Sequence, residues 1–261
     1  MKSLYESLLD DFDTINSKID PLKEIKQFLE ENYEGEYIIS KKPNKNGLYE
    51  VSSSEDIRIK NRNITSLTND LFVWGKVNEN FYCMGISSLT SLEGAPKEVG
   101  GNFYCYDCDS LTSLKGAPKK VGGRFDCSYC NSLTSLEGAP KEVKRFFDCT
   151  YCNSLTSLKG APKEVGGSFY CSDCKSIKTL EGAPKEVRNH FDCSNCKSLK
   201  TLEGAPEKVR GFFNCSYCDN LISLEGAPQK VGGDFYCKNC VIHFKKYDVE
   251  KYTKVTKNIY V

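Results

Sequence analysis

The chain has 261 residues, 39% of them hydrophobic and 27% charged, which excludes a disordered polymer or a collagen-like fibre and leaves room for one or two domains. Thirty-six Lys and Arg against 35 Asp and Glu give a net charge of +1, so no overall cationic field draws the whole molecule onto nucleic acid or an anionic membrane. No apolar run approaches the roughly 18 to 20 residues of a membrane span, and Met1-Lys2-Ser3-Leu4 followed by Asp10, Asp11 and Asp13 lacks the apolar segment of a signal peptide, so a cytoplasmic protein is expected.

In chain order, Leu8, Phe12, Ile15 and Ile19 recur at helical spacing. A second amphipathic stretch, Leu22, Ile25, Phe28 and Leu29, follows Asp20-Pro21, where Asp at the N-cap and Pro at the first helical position mark a helix start. Tyr37 to Ser40 and Leu48 to Val51 read as strands flanking the turn-rich Pro43 to Gly47, with Ile57 to Lys60 a third. Residues 1–65 are therefore expected to form a small N-terminal α/β cap, helical and β-hairpin in content, over the first unit of a repeat.

From Ser88 a 22-residue unit recurs seven times without a gap and ends at Val241, and an eroded copy, residues 66–87, precedes it with Ile86 in place of the second cysteine. Such a period marks a solenoid, whose short units bury their apolar sides only by stacking on one another. Residues 242–261, with Val241-Ile-His-Phe-Lys-Lys and Lys254 to Val261, are lysine-rich with alternating apolar residues and are expected to cover the last open strand edge as a C-terminal cap.

The apolar template of the fourth copy is Phe169-x-Cys171-x-x-Cys174-x-x-Ile177-x-x-Leu180, with Ala161, Pro162 and Val165 on the return. These residues resemble leucine-rich repeats, with Phe at the first strand leucine and Cys at the second and at the Asn/Cys position, over residues 66–241. The resemblance implies an α/β solenoid with a parallel sheet on a concave face. Gly-Ala-Pro argues against long helices on the convex side, which should be turns or extended chain. The wording of the repeat, together with Lys42 to Val51 and Asn63 to Thr68, also resembles leucine-rich-repeat-like proteins of bacteriophage and gut-bacterial mobile genomes.

Period-2 alternation sends Phe169 and Cys171 inward and Ser168, Tyr170 and Ser172 outward. Seven or eight rungs at about 4.8 Å make a sheet roughly 35 Å long. Its outward residues form three columns. The residue before the core Phe reads Asn102, Arg124, Phe146, Ser168, His190, Phe212, Asp234, and the residue after it Tyr104, Asp126, Asp148, Tyr170, Asp192, Asn214, Tyr236. The column between the cysteines reads Asp107, Tyr129, Tyr151, Asp173, Asn195, Tyr217, Asn239. Protein interfaces enrich such exposed aromatics. The partner-binding candidates are Tyr104, Asp126, Phe146, Asp148, Tyr170, His190, Asp192, Phe212 and Tyr236. On the opposite surface Glu93, Lys115, Glu137, Lys159 and Glu181 alternate in sign, which suits solubility and register. The repeated Gly-Gly, as in Gly100-Gly101, suits a tight turn where Cβ atoms would collide.

The 15 cysteines bear on function. A Cys-x-x-Cys pair in every full copy could supply zinc thiolates, but both cysteines fall at inward ladder positions, where free Cys behaves as a small hydrophobe. Reduced, metal-free core thiols are expected, and no cofactor. With two histidines, His190 and His243, and no hydrolase, phosphate-loop or zinc-protease motif, no enzyme is expected. The expected function is a non-enzymatic macromolecular-binding protein that uses its concave face on a protein partner with a basic surface. The family resemblance implies a phage-encoded inhibitor of a host defence nuclease as its concrete form. The alternatives are a structural or assembly component of a virion and a zinc- or nucleic-acid-binding array. Arg124, Lys144, Arg145, Arg188 and Arg210 could form a basic stripe, but each is expected beside an Asp on the face.

Overall fold

The computed structural model describes residues 20–261, so the helical stretch Leu8 to Ile19 lies outside the described residues. Helix α1 (Pro21–Asn32) begins as its sequence requires: the Asp20 side chain accepts from the Leu22 amide at 3.0 Å, and Pro21 occupies the first turn. Its Ile25 and Leu29 are fully buried, each worth about 1.5 to 3 kcal/mol of apolar transfer. Strands β1 (Tyr33–Glu34), β2 (Ile38–Ile39), β3 (Tyr49–Ser53) and β4 (Ile57–Ile59) come next. β2 and β3 form an antiparallel hairpin around the Pro43 to Gly47 turn. They are succeeded by β5 (Phe72–Val77) and β6 (Phe81–Tyr82), to which β3 and β4 pair in parallel. The sequence around residues 49–59 does not show the repeat, yet it folds as a turn of the same solenoid.

Each full copy then contributes two strands of two residues, from β7 (Glu98–Val99) and β8 (Phe103–Tyr104) to β19 (Lys230–Val231) and β20 (Phe235–Tyr236). A five-residue helix, α2 (Lys246–Glu250), precedes β21 (Lys254–Val255) and β22 (Ile259–Tyr260), which extend both stacks in parallel. The result is a β-solenoid of ten turns, β3/β4 to β21/β22, with two parallel sheets. Sheet A runs β1-β4-β6 and on through the even-numbered strands to β22, and sheet B runs β2-β3-β5 and on through the odd-numbered ones to β21. One parallel sheet with a turn-rich back was the expectation. The return segment instead forms its own sheet, because Val121, Val143, Val165 and their equivalents point inward in register and the flanking backbone pairs with the turns on either side.

Register is strict: Phe125 lies beside Phe103 on one side and Phe147 on the other, and equivalent residues coincide along the stack. The eight core phenylalanines from Phe81 to Phe235 stack with centroids 5.1–5.5 Å apart. Every core Phe, Leu and Val of the seven copies is buried, and the Gly-Ala-Pro prolines are buried beside them. Glycine is needed at the bend before each such proline, where Gly116 has φ +89° and a Cβ would stand 2.4 Å from the Glu93 Cα of the preceding turn. At the other corner a Cβ on Gly100 would stand 2.1 Å from the Asn78 carbonyl oxygen. On the surface away from sheet A, Lys115 pairs with Glu93 at 2.8 Å and Lys159 with Glu181 at 3.3 Å.

All 15 cysteines are free and buried. Their thiols also bond. The second Cys of each pair donates to the carbonyl of the first Cys one turn back, from Cys108 to Cys83 at 3.2 Å through Cys240 to Cys215 at 3.4 Å. Cys127, Cys149, Cys193 and Cys215 donate forward, to the carbonyls of Asp148, Tyr170, Asn214 and Tyr236, at 3.3–3.4 Å. Leucine would fill the space and leave those buried carbonyls one donor short.

Because each turn contacts only its neighbours, deleting Ser132 to Asn153 and joining Asn131 to Ser154 should leave a folded solenoid one turn shorter. A cooperative thermal transition and an unchanged β-type circular dichroism spectrum would bear this out; an aggregated or unfolded product would show that turns are not interchangeable.

Candidate functional site

The outward face of sheet A is built from three columns, each with a local structural task. In the first, before the core Phe, a side-chain acceptor takes the amide of the equivalent residue one turn on. Asn80 accepts from Asn102 and Asn102 from Arg124, both at 2.7 Å. Ser168 accepts from His190 at 3.2 Å, His190 Nδ1 from Phe212 at 3.1 Å, and Asp234 from Asn258 at 3.0 Å. Ser168 is fully buried in this role, against the outward placement that alternation alone gives it. Arg124, Phe146 and Phe212 have no acceptor to offer.

In the second column, after the Phe, an Asx turn fastens the chain as it leaves the strand. Asp126, Asp148, Asp192 and Asn214 accept from the amide two residues on, at 2.9–3.1 Å. Tyr104, Tyr170 and Tyr236 cannot do so. They stack instead: Tyr82 on Tyr104 at 5.2 Å, Tyr236 on Tyr260 at 4.8 Å, with Phe146 tilted beside Tyr170 at 6.4 Å.

In the third column, between the cysteines, the backbone is left-handed, with φ from 56° to 61°. Gly85 stands there in the eroded copy, and Asp107, Asp173, Asn195 and Asn239 are residue types that tolerate it. Tyr129, Tyr151 and Tyr217 are not, and a bulky residue so held is strained by about 1–2 kcal/mol. These three are 48%, 36% and 53% exposed.

The structure thus divides the residues named from sequence. Tyr104, Phe146, Tyr170, Phe212 and Tyr236 share the face with no task in the backbone. Asp126 and Asp148 are 5% and 8% exposed, and the Arg124 guanidinium is ion-paired to both carboxylates, to Asp126 at 3.0 Å. Burial, partly offset by Ser128 and Arg124, raises the Asp126 pKa above the usual range. Neither carboxylate is free to steer a partner, so the negative charge this face can present to a basic partner narrows to Asp107, Asp173, Asp192 and Asp234. The His190 ring stacks on Phe212 at 4.0 Å, and burial lowers its pKa, opposed by Asp192. Tyr129, Tyr151 and Tyr217 stand in an outward column of the sequence but not among its partner-binding candidates. Their signal was the company they keep: a column otherwise of Gly, Asp and Asn marks a left-handed bend.

The expected basic stripe splits between faces. Arg124 is on sheet A, whereas Lys144, Arg188 and Arg210 line a groove of about 690 Å³ on sheet B with Lys163, Lys185, Glu142, Glu164 and Glu186. Its flanking acids are glutamates, not aspartates, and Glu186 is held by Arg210 at 2.7 Å and Lys208 at 3.3 Å.

No group of three or more His, Cys, Asp or Glu side chains among the described residues is arranged to hold a metal ion. Burial pushes the thiols up, Cys108 and Cys240 to about 11 and Cys218 to about 12, which leaves little thiolate at neutral pH for ligation or attack. No helix among the described residues is long and apolar enough to cross a membrane. Comparison with models of protein families, with curated proteins and with solved structures gave no match.

Two outcomes are expected. Folded thiols keep their protons above the ordinary 9.0, where unfolded ones lose them, so stability from burial is present below about pH 9 and lost as pH rises through 11. The melting temperature should hold between pH 7 and 8 and fall above pH 9, and a rise there would contradict thiol burial. Tyr217→Asn places a tolerant residue at the left-handed bend and should raise stability by about 0.5–1 kcal/mol in denaturant unfolding.

Proposed function

We propose that this chain is a non-enzymatic binding protein that presents the outward face of sheet A to a protein partner. One observation carries the reading: aromatic side chains replace the residue types the backbone selects in all three columns. Phe146 and Phe212 stand where an acceptor belongs, Tyr104, Tyr170 and Tyr236 where an Asx turn belongs, and Tyr129, Tyr151 and Tyr217 at a left-handed bend. Folding explains the core but not these. Tyr and Phe give large contact area with few rotors to immobilise, and from the Tyr104 turn to the Tyr236 turn they span roughly 30 Å, the scale of a standard interface.

The finer form of the proposal draws on the resemblance to leucine-rich repeats, which engage partners through strand side chains. Its concrete version is a phage-encoded protein, acting in the bacterial cytoplasm, that covers the basic substrate groove of a host defence nuclease. The carboxylates of Asp107, Asp173 and Asp192 would face that groove, and such a face disfavours nucleic acid. A second reading, direct binding of a polyanion, draws on the cation-lined groove of sheet B.

The test is site-specific crosslinking in host-cell extract, with benzoylphenylalanine in place of Tyr170 or Phe212 on sheet A, or of Lys163 on sheet B. The expected result is one defined polypeptide crosslinked from Tyr170 and Phe212, insensitive to nuclease, and none from Lys163. Crosslinks from Lys163 alone, or to nuclease-sensitive material, would overturn the sheet A reading and favour the second.

A further inference from the structure

The left-handed column holds four consecutive residues in the order Asp107, Tyr129, Tyr151, Asp173, one per turn. The two tyrosine rings stack at 4.6 Å and 11°, so each has one face against the other and one turned away along the stack. On the Asp107 side the free face of Tyr129 borders a recess of about 410 Å³, lined also by Tyr106, Asp126 and Ser128. On the other side the Asp173 carboxylate is close enough to push the Tyr151 phenol up.

The same face shows how such rings are used when a cation is at hand. Near one end the guanidinium carbon of Arg58 sits 4.0 Å from the centroid of Tyr82, and at the other Lys238 Nζ sits 4.8 Å from that of Tyr260. Among the described residues no cation lies over Tyr129 or Tyr151, and Arg124 is engaged by Asp126 and Asp148. Asp173 is already taken by the Asn195 amide, and the Arg62 guanidinium that stands near Asp107 donates to the Met84 carbonyl, so the recess offers one open aromatic surface, that of Tyr129, beside the Asp107 carboxylate.

We propose that the recess bounded by Tyr129, Tyr106 and Asp107 binds a guanidinium, supplied as an arginine side chain of the protein partner. The proposal rests on the sheet A reading and names the chemistry of its contact. A planar guanidinium stacks on a tyrosine face and forks its N–H donors onto a carboxylate at the ring edge, which a compact ammonium cannot do at once. Nucleic acid is disfavoured there, since Asp107 repels phosphate.

The test uses the full chain and blocked tripeptides as probes, N-acetyl-Gly-Arg-Gly-amide against the same peptide with citrulline, which keeps the shape and loses the charge. The readout is the NMR ring signals of Tyr106 and Tyr129. Saturable shifts are expected with the arginine peptide, and at least tenfold weaker binding with citrulline. Tyr129→Asn and Asp107→Asn place in the column a residue it already holds at Asn195 and Asn239, so both variants should fold with melting temperatures equal to or above the parent's. Each should weaken arginine binding tenfold or more. Equal binding of citrulline, unchanged binding by both variants, or stronger shifts from a single-stranded RNA oligonucleotide would overturn the inference. A partner crosslinked from Phe212 together with no arginine binding at Tyr129 would overturn it alone and leave the interface reading standing.

Discussion

Every side chain in this solenoid lies on a copy of its own position one turn away, and this in-register constraint governs what each column can contain. In the core a residue is admitted only if it stacks on itself or on a close relative. Phenylalanine does, as the eight-ring stack from Phe81 to Phe235 shows, and so do leucine and valine. Exposed charges are held less strictly: Glu93 lies beside Lys115 and Lys159 beside Glu181, but Glu142 also lies beside Glu164 and Lys208 beside Lys230, where solvent screens them. Asparagine stacks where its oxygen meets the next turn's amide, as Asn80 does with Asn102 and Asn102 with Arg124.

The cysteines obey the same constraint. Where the chain leaves sheet A it passes through a left-handed residue, and the first cysteine's carbonyl meets a buried thiol of the next turn. An aliphatic side chain would leave that oxygen among apolar neighbours. A thiol one turn on is small enough for the core and carries a hydrogen, and Cys130 to Cys105 and Cys152 to Cys127 close the gap at 3.2 Å. Cys-x-x-Cys here is a device for satisfying a backbone bend in a repeating stack, with the protons held on by burial.

The 22-residue period and the inward template from Phe103 to Leu114 were legible because a solenoid writes its geometry once per turn. The second sheet was less so. In the seven copies its strands are two residues long, a single inward Val after one Glu or Lys, too short to show alternation. The turn formed by Tyr49–Ser53 and Ile57–Ile59 was hidden because a terminal turn meets the stack on one side only and need not match it letter for letter. On the candidate face the exposed aromatics were legible and the roles of the polar residues were not. Asp126 and Asp148 look like free carboxylates in sequence, and only the fold shows Arg124 pairing with Asp126 in its own turn and reaching across to Asp148 in the next. Side-chain tasks that span 22 residues are invisible to local pattern.

A stack of near-identical turns also explains how a face can depart from what the backbone prefers without losing the fold. Stability in a solenoid is close to a sum of terms within turns and between neighbours. The strain of Tyr151 or the missing acceptor at Phe146 is therefore felt in one turn and its two contacts, while the Phe, Cys and Leu columns continue through it unchanged. In a globular core one such departure forces others to repack. Here the core repeats and the surface is free to vary, so a binding surface can be written onto sheet A one turn at a time. The aromatics are spread over all three columns, and Phe212, Tyr217 and Tyr236 form a second cluster several turns from Tyr129 and Tyr151, around a recess of about 380 Å³. Two such clusters on one rigid register set a distance as well as a chemistry. A partner that met only one would gain a single contact, and a partner that met both would have to match the spacing of the turns.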